Sequence, residues 1–114
     1  MFKQIPGNTK DNTMKELVKS EFNLSDMLAD KIKNIVDRSD SLIKRLKITF
    51  KNGYGISIVK GDRFIYCGKD TYEIAPLDKN KEINGDLLNI NGDDVLGWQT
   101  KQDIIEHMTK LSNL

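Results

Sequence analysis

The stretch KITFKNGYGISIVKG, residues 47–61, decides the fold. Apolar and polar residues alternate on both sides of Asn52-Gly53, the dipeptide that most favours a tight β-hairpin. Ile48 and Phe50 fall on one face of the first arm, and Tyr54, Ile56 and Ile58 answer them from the second. A second turn at Gly61-Asp62 leads to RFIYC (63–67) as a third strand. TYEIAPL (71–77) reads as a fourth, with Pro76 at its end or in an edge position. LLNI (87–90) is a weaker strand fragment. Thr100 is then an N-cap with Asp103 in the capping-box position, opening a helix whose stripe is Ile104, Ile105, Met108 and Leu111. A sheet with one apolar face needs a cover, and this helix supplies it.

Upstream the period is longer. Residues 1–12 are polar, contain Pro6-Gly7 and read as a flexible lead-in. Thr13 and Glu16 form a capping-box pair that opens a helix with Leu17 and Val18 inward, and Asn23 interrupts it. Ser25 is a fresh N-cap with Asp26 in the first turn. Leu28, Ile32, Ile35 and Val36 recur at helical spacing, and Leu42, Ile43 and Leu46 extend the stripe across Ser39-Asp40-Ser41. The chain therefore reads as α+β: a helical segment at 13–45, then an antiparallel sheet of three to five strands and a C-terminal helix at 46–114. Lys31, Lys33, Arg38, Lys44 and Arg45 lie off the helical stripe. They form a candidate basic partner surface, with Lys51 and Tyr54 at the hairpin tip as a second choice.

The chain has 114 residues and a mass of 13.0 kDa, enough for one domain with a modest core and no need of a metal or disulfide. Its one cysteine, Cys67, has no internal partner, which fits a reducing compartment. No apolar run reaches the roughly 18 residues that span a bilayer, and MFKQIPGNTKDN lacks the apolar core of a secretory signal. The expected location is the cytoplasm. Net charge is +1, but residues 1–52 hold 11 Lys/Arg against 7 Asp/Glu and residues 53–114 hold 7 against 10. This balance excludes both a strongly acidic DNA mimic and a generally basic nucleic-acid coat.

Signatures of catalysis are missing from the sequence. His107 is the one histidine, a turn from the end of the last helix, where a cation suits the helix dipole. With Cys67 it makes two soft or imidazole ligands, short of a zinc set. Asn89, Asn91, Asp93 and Asp94 supply oxygens at close spacing, but the glycine comes too early for an EF-hand and no glutamate closes the loop. Turn chemistry explains that segment better. Gly53 and Gly55 precede no helix and no phosphate-binding lysine, and nothing brings Glu73 and Asp78 together. The reading is a binding protein, not an enzyme, with no cofactor. Residues 14–36 also have the cadence of a helix-turn-helix, VKSEFNLSDMLADKI at its centre, although Asp26 and Asp30 on the second helix would repel phosphate.

FKNGYGISIVKG (50–61), TYEIAPLD (71–78) and DDVLGWQTKQDIIEHM (93–108) together resemble small phage and prophage proteins of low-GC bacteria. In that group a glycine-centred hairpin leads to a strand and then to a D-V-x-G-W-x-T helix start, in the same order over about two-thirds of the chain. The shorter members begin near Lys47, so the helical extension is particular to this chain. The resemblance carries no catalytic residues. It implies an early or anti-defence gene product, since some members are anti-CRISPR candidates. The expected function is inhibition of a host defence nuclease by protein–protein binding, with Cas9 or its guide complex as the partner. The alternatives are a small DNA-binding regulator using residues 14–36, or a phage structural or housekeeping protein with a viral partner.

Overall fold

The computed structural model describes the backbone of residues 6–61, 71–90 and 94–114, with side chains described from residue 13 onward. The order of elements is α1 (Pro6–Phe22), α2 (Asp26–Asp30), β1 (Ile32–Asp37), β2 (Ile43–Phe50), β3 (Gly55–Gly61), β4 (Tyr72–Leu77), a 3-10 turn (Gly85–Leu88), β5 (Leu96–Gln99) and α3 (Lys101–Ser112). The strands form one antiparallel sheet in the order β1-β2-β3-β4-β5. The α+β architecture read from the sequence is the observed one.

The β2–β3 hairpin sets the register. Leu46 faces Ile58 and Ile48 faces Ile56 across the ladder. Phe50 N–H donates to the Tyr54 carbonyl at 2.7 Å, and Gly53 N–H donates to the Phe50 carbonyl at 2.9 Å. The connection is thus a three-residue loop, 51–53, whose last residue is left-handed, rather than a two-residue turn. Gly53 holds φ at 96°, which a side chain would resist. Asn52 ties the tip down: its Oδ1 accepts from Tyr54 N–H, and its Nδ2 donates to the Leu111 carbonyl at the end of α3.

One sheet face carries the core. Leu46, Ile48, Phe50, Ile56, Ile58, Tyr72 and Ile74 are buried there with Val18 and Phe22 of α1 and Ile104, Met108 and Leu111 of α3. The Phe22 and Tyr72 rings meet at 5.2 Å and 59°, a tilted pair of the favoured kind. Tyr54 and Ile105, expected among the buried residues, are half-buried at the margin. The capping box of α3 is as the sequence reads it: Thr100 Oγ1 accepts from Asp103 N–H, and Asp103 accepts from Thr100 N–H.

The N-terminal third corrects the sequence reading. α1 starts at Pro6, so residues 6–12 are helix rather than lead-in and Thr13 lies inside it. Proline suits a helix start because its missing N–H has no partner there anyway. α1 ends at Phe22; Asn23 follows with φ at 56°, and Leu24 N–H reaches back to the Lys19 carbonyl in a Schellman-type stop. Ser25 does cap α2, its Oγ accepting from Leu28 N–H at 3.1 Å. The helix does not continue to residue 45, however. α2 is five residues long, and the next residues form β1 and β2. Ile32, Ile35 and Val36 are β-branched and pack better on a pleated surface. Ser39-Asp40-Ser41 makes the hairpin turn instead of restarting a helix. The Asp37 carboxylate accepts from Ser39 N–H, that of Asp40 from Leu42 and Ile43 N–H, and Ser39 Oγ from Arg45 N–H. The helix-turn-helix reading at 14–36 is overturned with it, because a five-residue α2 running into an edge strand offers no recognition helix.

At the other edge, β4 matches TYEIAPL. Pro76 pairs with Ile56 on β3, while β5 meets β4 only at Tyr72 and Ile74, so the proline lies beyond the second ladder. Its carbonyl accepts from Asn84 N–H. LLNI is not a strand: residues 85–88 form the 3-10 turn, closed by Asn89 at φ 57°. Leu96–Gln99, within the segment read as a helix start, is strand β5. The expected third strand at 63–67, with Cys67, lies outside the described residues, as do Asn91 and Asp93.

Candidate interaction surface

The basic residues singled out in the sequence do not share a helix face. They sit on a strand pair, and the two-residue period of a strand divides them. Lys44 falls on the core side, where it forms an ion pair with Glu21 of α1 at 2.5 Å. The same glutamate accepts from the Tyr72 hydroxyl at 3.2 Å. Lys60, which faces Lys44, lies over the Tyr72 ring at 4.7 Å on that side. Lys31 caps the end of α2 and its ammonium bonds to Asn113 Oδ1. Lys33 is the exposed residue of a bulge where the β1–β2 register slips between Ile32 and Asn34.

Arg45 and Lys47 project from the opposite face of β2, and both are exposed. Lys47 stands between Val36 on β1 and Ser57 on β3, and Arg45 faces Val59, which in turn faces Glu73. Arg38 is one step beyond the last β1–β2 register pair, and its N–H donates to the Arg45 carbonyl at 2.9 Å. Two exposed arginines are therefore cross-strand neighbours. Like charges in that relation destabilise a sheet by a few tenths to about 1 kcal/mol. Toward β4 this face closes, with Ala75 and Leu77 buried. The resulting open surface on β1–β3 is cationic at Arg38, Arg45 and Lys47, with Asn34, Val36, Thr49, Ser57 and Val59 around them.

At the hairpin tip Lys51 is exposed and its N–H donates to the Lys31 carbonyl. Tyr54 is half-buried beneath Lys79, whose Nζ is 5.4 Å from the ring centroid. The tip is thus fastened on both sides. Lys47 was missed in the sequence because helical spacing gave it no place beside Arg45. The R-L-K alternation at 45–47 would have placed both on one face once a strand was assumed. Trp98 was also missed: it is 61% exposed on β5 and holds φ at 59°.

Among the described residues, His107 and Asp94 are engaged in structural hydrogen bonds. His107 is half-buried on α3, and its Nε2 is 2.6 Å from Gln99 Oε1. Burial holds its pKa below the usual histidine value, partly offset by Asp103 and Glu106. Asp94 accepts from Gly85 N–H, in keeping with turn chemistry at that segment. Among the described residues, no three His, Cys, Asp or Glu side chains cluster as a metal site. No described helix is long and apolar enough to cross a membrane. No family model, curated protein or solved structure matches the chain.

Proposed function

We propose that this protein is a non-catalytic inhibitor of the phage anti-defence kind, acting by binding a host nuclease through the cationic open face of its sheet. One observation carries the reading. Arg38 and Arg45 are held side by side by the β1–β2 ladder with Lys47 next along β2, an arrangement that costs the monomer stability and is relieved by a negatively charged partner. The phage resemblance of residues 50–108 supplies the biological class, and Cas9 with its guide is the first partner to test. Acidic patches on such a nuclease, or guide phosphates beside them, supply the complementary charge.

The test is a pull-down from lysate of a low-GC bacterium, with and without added nuclease–guide complex, using the parent protein and an Arg45→Glu/Lys47→Glu variant. Retention of the complex by the parent and its loss by the variant supports the reading. Retention of bare duplex DNA in place of the complex would favour a DNA-binding regulator, here through the sheet rather than a helix. Equal retention of the complex by both proteins moves the contact off this face.

A further inference from the structure

β1 is an edge strand, paired with β2 on one side, and no described residue pairs with its other side. The direction of its peptide groups follows from the flanking bonds. Arg38 N–H donates to the Arg45 carbonyl and Lys51 N–H to the Lys31 carbonyl, so the odd-numbered residues of β2 turn toward β1. Asn34 and Val36 answer Thr49 and Lys47. In an antiparallel ladder the alternate residues then turn outward, and here these are Ile35 and Asp37. Their N–H and C=O groups line an open edge of the kind that templates another strand.

We propose that this edge pairs with β1 of a second copy of the chain, antiparallel and centred on Ile35, so that two sheets become one. The sequence of the strand is what selects the partner. A two-fold axis through Ile35 sets Lys33 opposite the second copy's Asp37 and Asp37 opposite the second copy's Lys33, with Asn34 opposite Val36 in both places. Outward peptide groups meet outward groups at Ile35, as a ladder requires, and the bulge residue Lys33 comes opposite Asp37. Shifting the centre by one residue toward Arg38 leaves Asp37 opposite an isoleucine. Shifting it by two sets the two Asp37 carboxylates against each other, which is unfavourable. A lysine, a bulge and an aspartate ordinarily protect an edge from unrelated strands; in this one register they are complementary. The pairing also joins the two open faces, placing both Arg38–Arg45 neighbours on one continuous surface.

The test is sedimentation velocity over a concentration series on the parent, Lys33→Glu, Asp37→Lys and an equimolar mixture of the two variants, with circular dichroism confirming the fold of each. Each single variant replaces both opposite-charge pairs of its own dimer by like-charge pairs, so its dimer Kd should rise by about tenfold or more. Mixed together, the variants regain opposite charges at both positions and should form a heterodimer with a Kd within about threefold of the parent's. A parent that stays monomeric up to about 1 mM overturns the proposal. So do single variants that dimerise as well as the parent, or a mixture that stays monomeric when the parent does not.

Discussion

Lys44 and Arg45 are adjacent in sequence and face opposite sides of the sheet, Lys44 in an ion pair with Glu21 and Arg45 exposed beside Arg38. Charge reversal at the two positions should have opposite consequences. Lys44→Glu sets two carboxylates together in a partly exposed pair, and should lower stability by about 0.5–1 kcal/mol in urea titration. Arg45→Glu removes a like-charge neighbour of Arg38 and should leave stability unchanged within about 0.5 kcal/mol or raise it slightly. Under the proposed function only Arg45→Glu slows association with the nuclease–guide complex, with the difference shrinking at high salt. Comparable destabilisation by both substitutions would show that Arg45 has a structural role on the open face.

Core substitutions should separate residues that share chemistry but not burial. Ile56 is fully buried opposite Pro76 and Ile48, and Ile56→Ala should cost about 2–4 kcal/mol. Ile105 lies at the margin of α3 and is half-buried, so Ile105→Ala should cost about 1 kcal/mol, nearer the mean for substitutions generally. Equal urea midpoints for the two variants would contradict the placement of α3 on the sheet.

The parts of the fold that were legible in sequence are those whose signals are local. The alternation around Asn52-Gly53 and the Thr100/Asp103 capping box each depend on a handful of neighbouring residues; the hairpin forms with a three-residue loop in place of the two-residue turn, and the capping box forms as read. Residues 31–45 were misread because Leu28, Ile32, Ile35, Val36, Leu42, Ile43 and Leu46 satisfy helical spacing by coincidence. The competing signals were present: β-branched residues at 32, 35 and 36, and two aspartates and a serine, Asp37, Asp40 and Ser39, that accept from nearby backbone N–H groups in a turn. The basic surface inherited that error, since period 3.6 and period 2 sort Lys44, Arg45 and Lys47 differently. β5 had no readable period at all, being four residues long with a glycine and a left-handed tryptophan.

Two glycines of the hairpin should fail for different reasons. Gly53 is left-handed, with only the Lys79 side chain near the position a Cβ would take, so Gly53→Ala should cost about 1–2 kcal/mol of backbone strain. At Gly55 the same Cβ would lie 2.4 Å from the Ile48 carbonyl oxygen, which is fixed in the β2–β3 ladder. Gly55→Ala must therefore move backbone and should cost more, about 3 kcal/mol. Reversal of that order in thermal or urea unfolding would count against the hairpin register.

His107 gives stability a pH dependence of predictable sign. Its folded pKa is lowered, chiefly by burial, so the unfolded chain binds the proton more readily. Stability is then complete above the unfolded value of about 6.5 and declines as pH falls through the lower folded value. Urea midpoints should drop between pH 7.5 and 5 in the parent and much less in His107→Gln. Among the described residues, the carboxylates of Asp26, Asp37, Asp40 and Asp103 also have lowered pKa and act in the same direction but at more acidic pH. An identical slope in both proteins above pH 5 would mean that His107 remains freely solvated in the folded state.

Trp98 combines a left-handed backbone with an exposed ring. Among the described residues three other non-glycine positions share a positive φ, namely Asn23, Lys81 and Asn89, and asparagine is one of the few side chains that visits this region readily. A tryptophan in this conformation loses about 1–2 kcal/mol, and with 61% of its surface exposed the part that is buried offsets a comparable amount. Glycine relieves the backbone strain while adding roughly 0.5–1 kcal/mol of unfolded-state entropy. Trp98→Gly should therefore be more stable than Trp98→Ala by about 0.5–1 kcal/mol, since both lose the same indole contacts and only alanine keeps the strain. Chemical denaturation followed by circular dichroism measures both, independently of the tryptophan signal that the substitutions remove. A Trp98→Gly protein no more stable than Trp98→Ala would show that residue 98 is not held in the left-handed conformation.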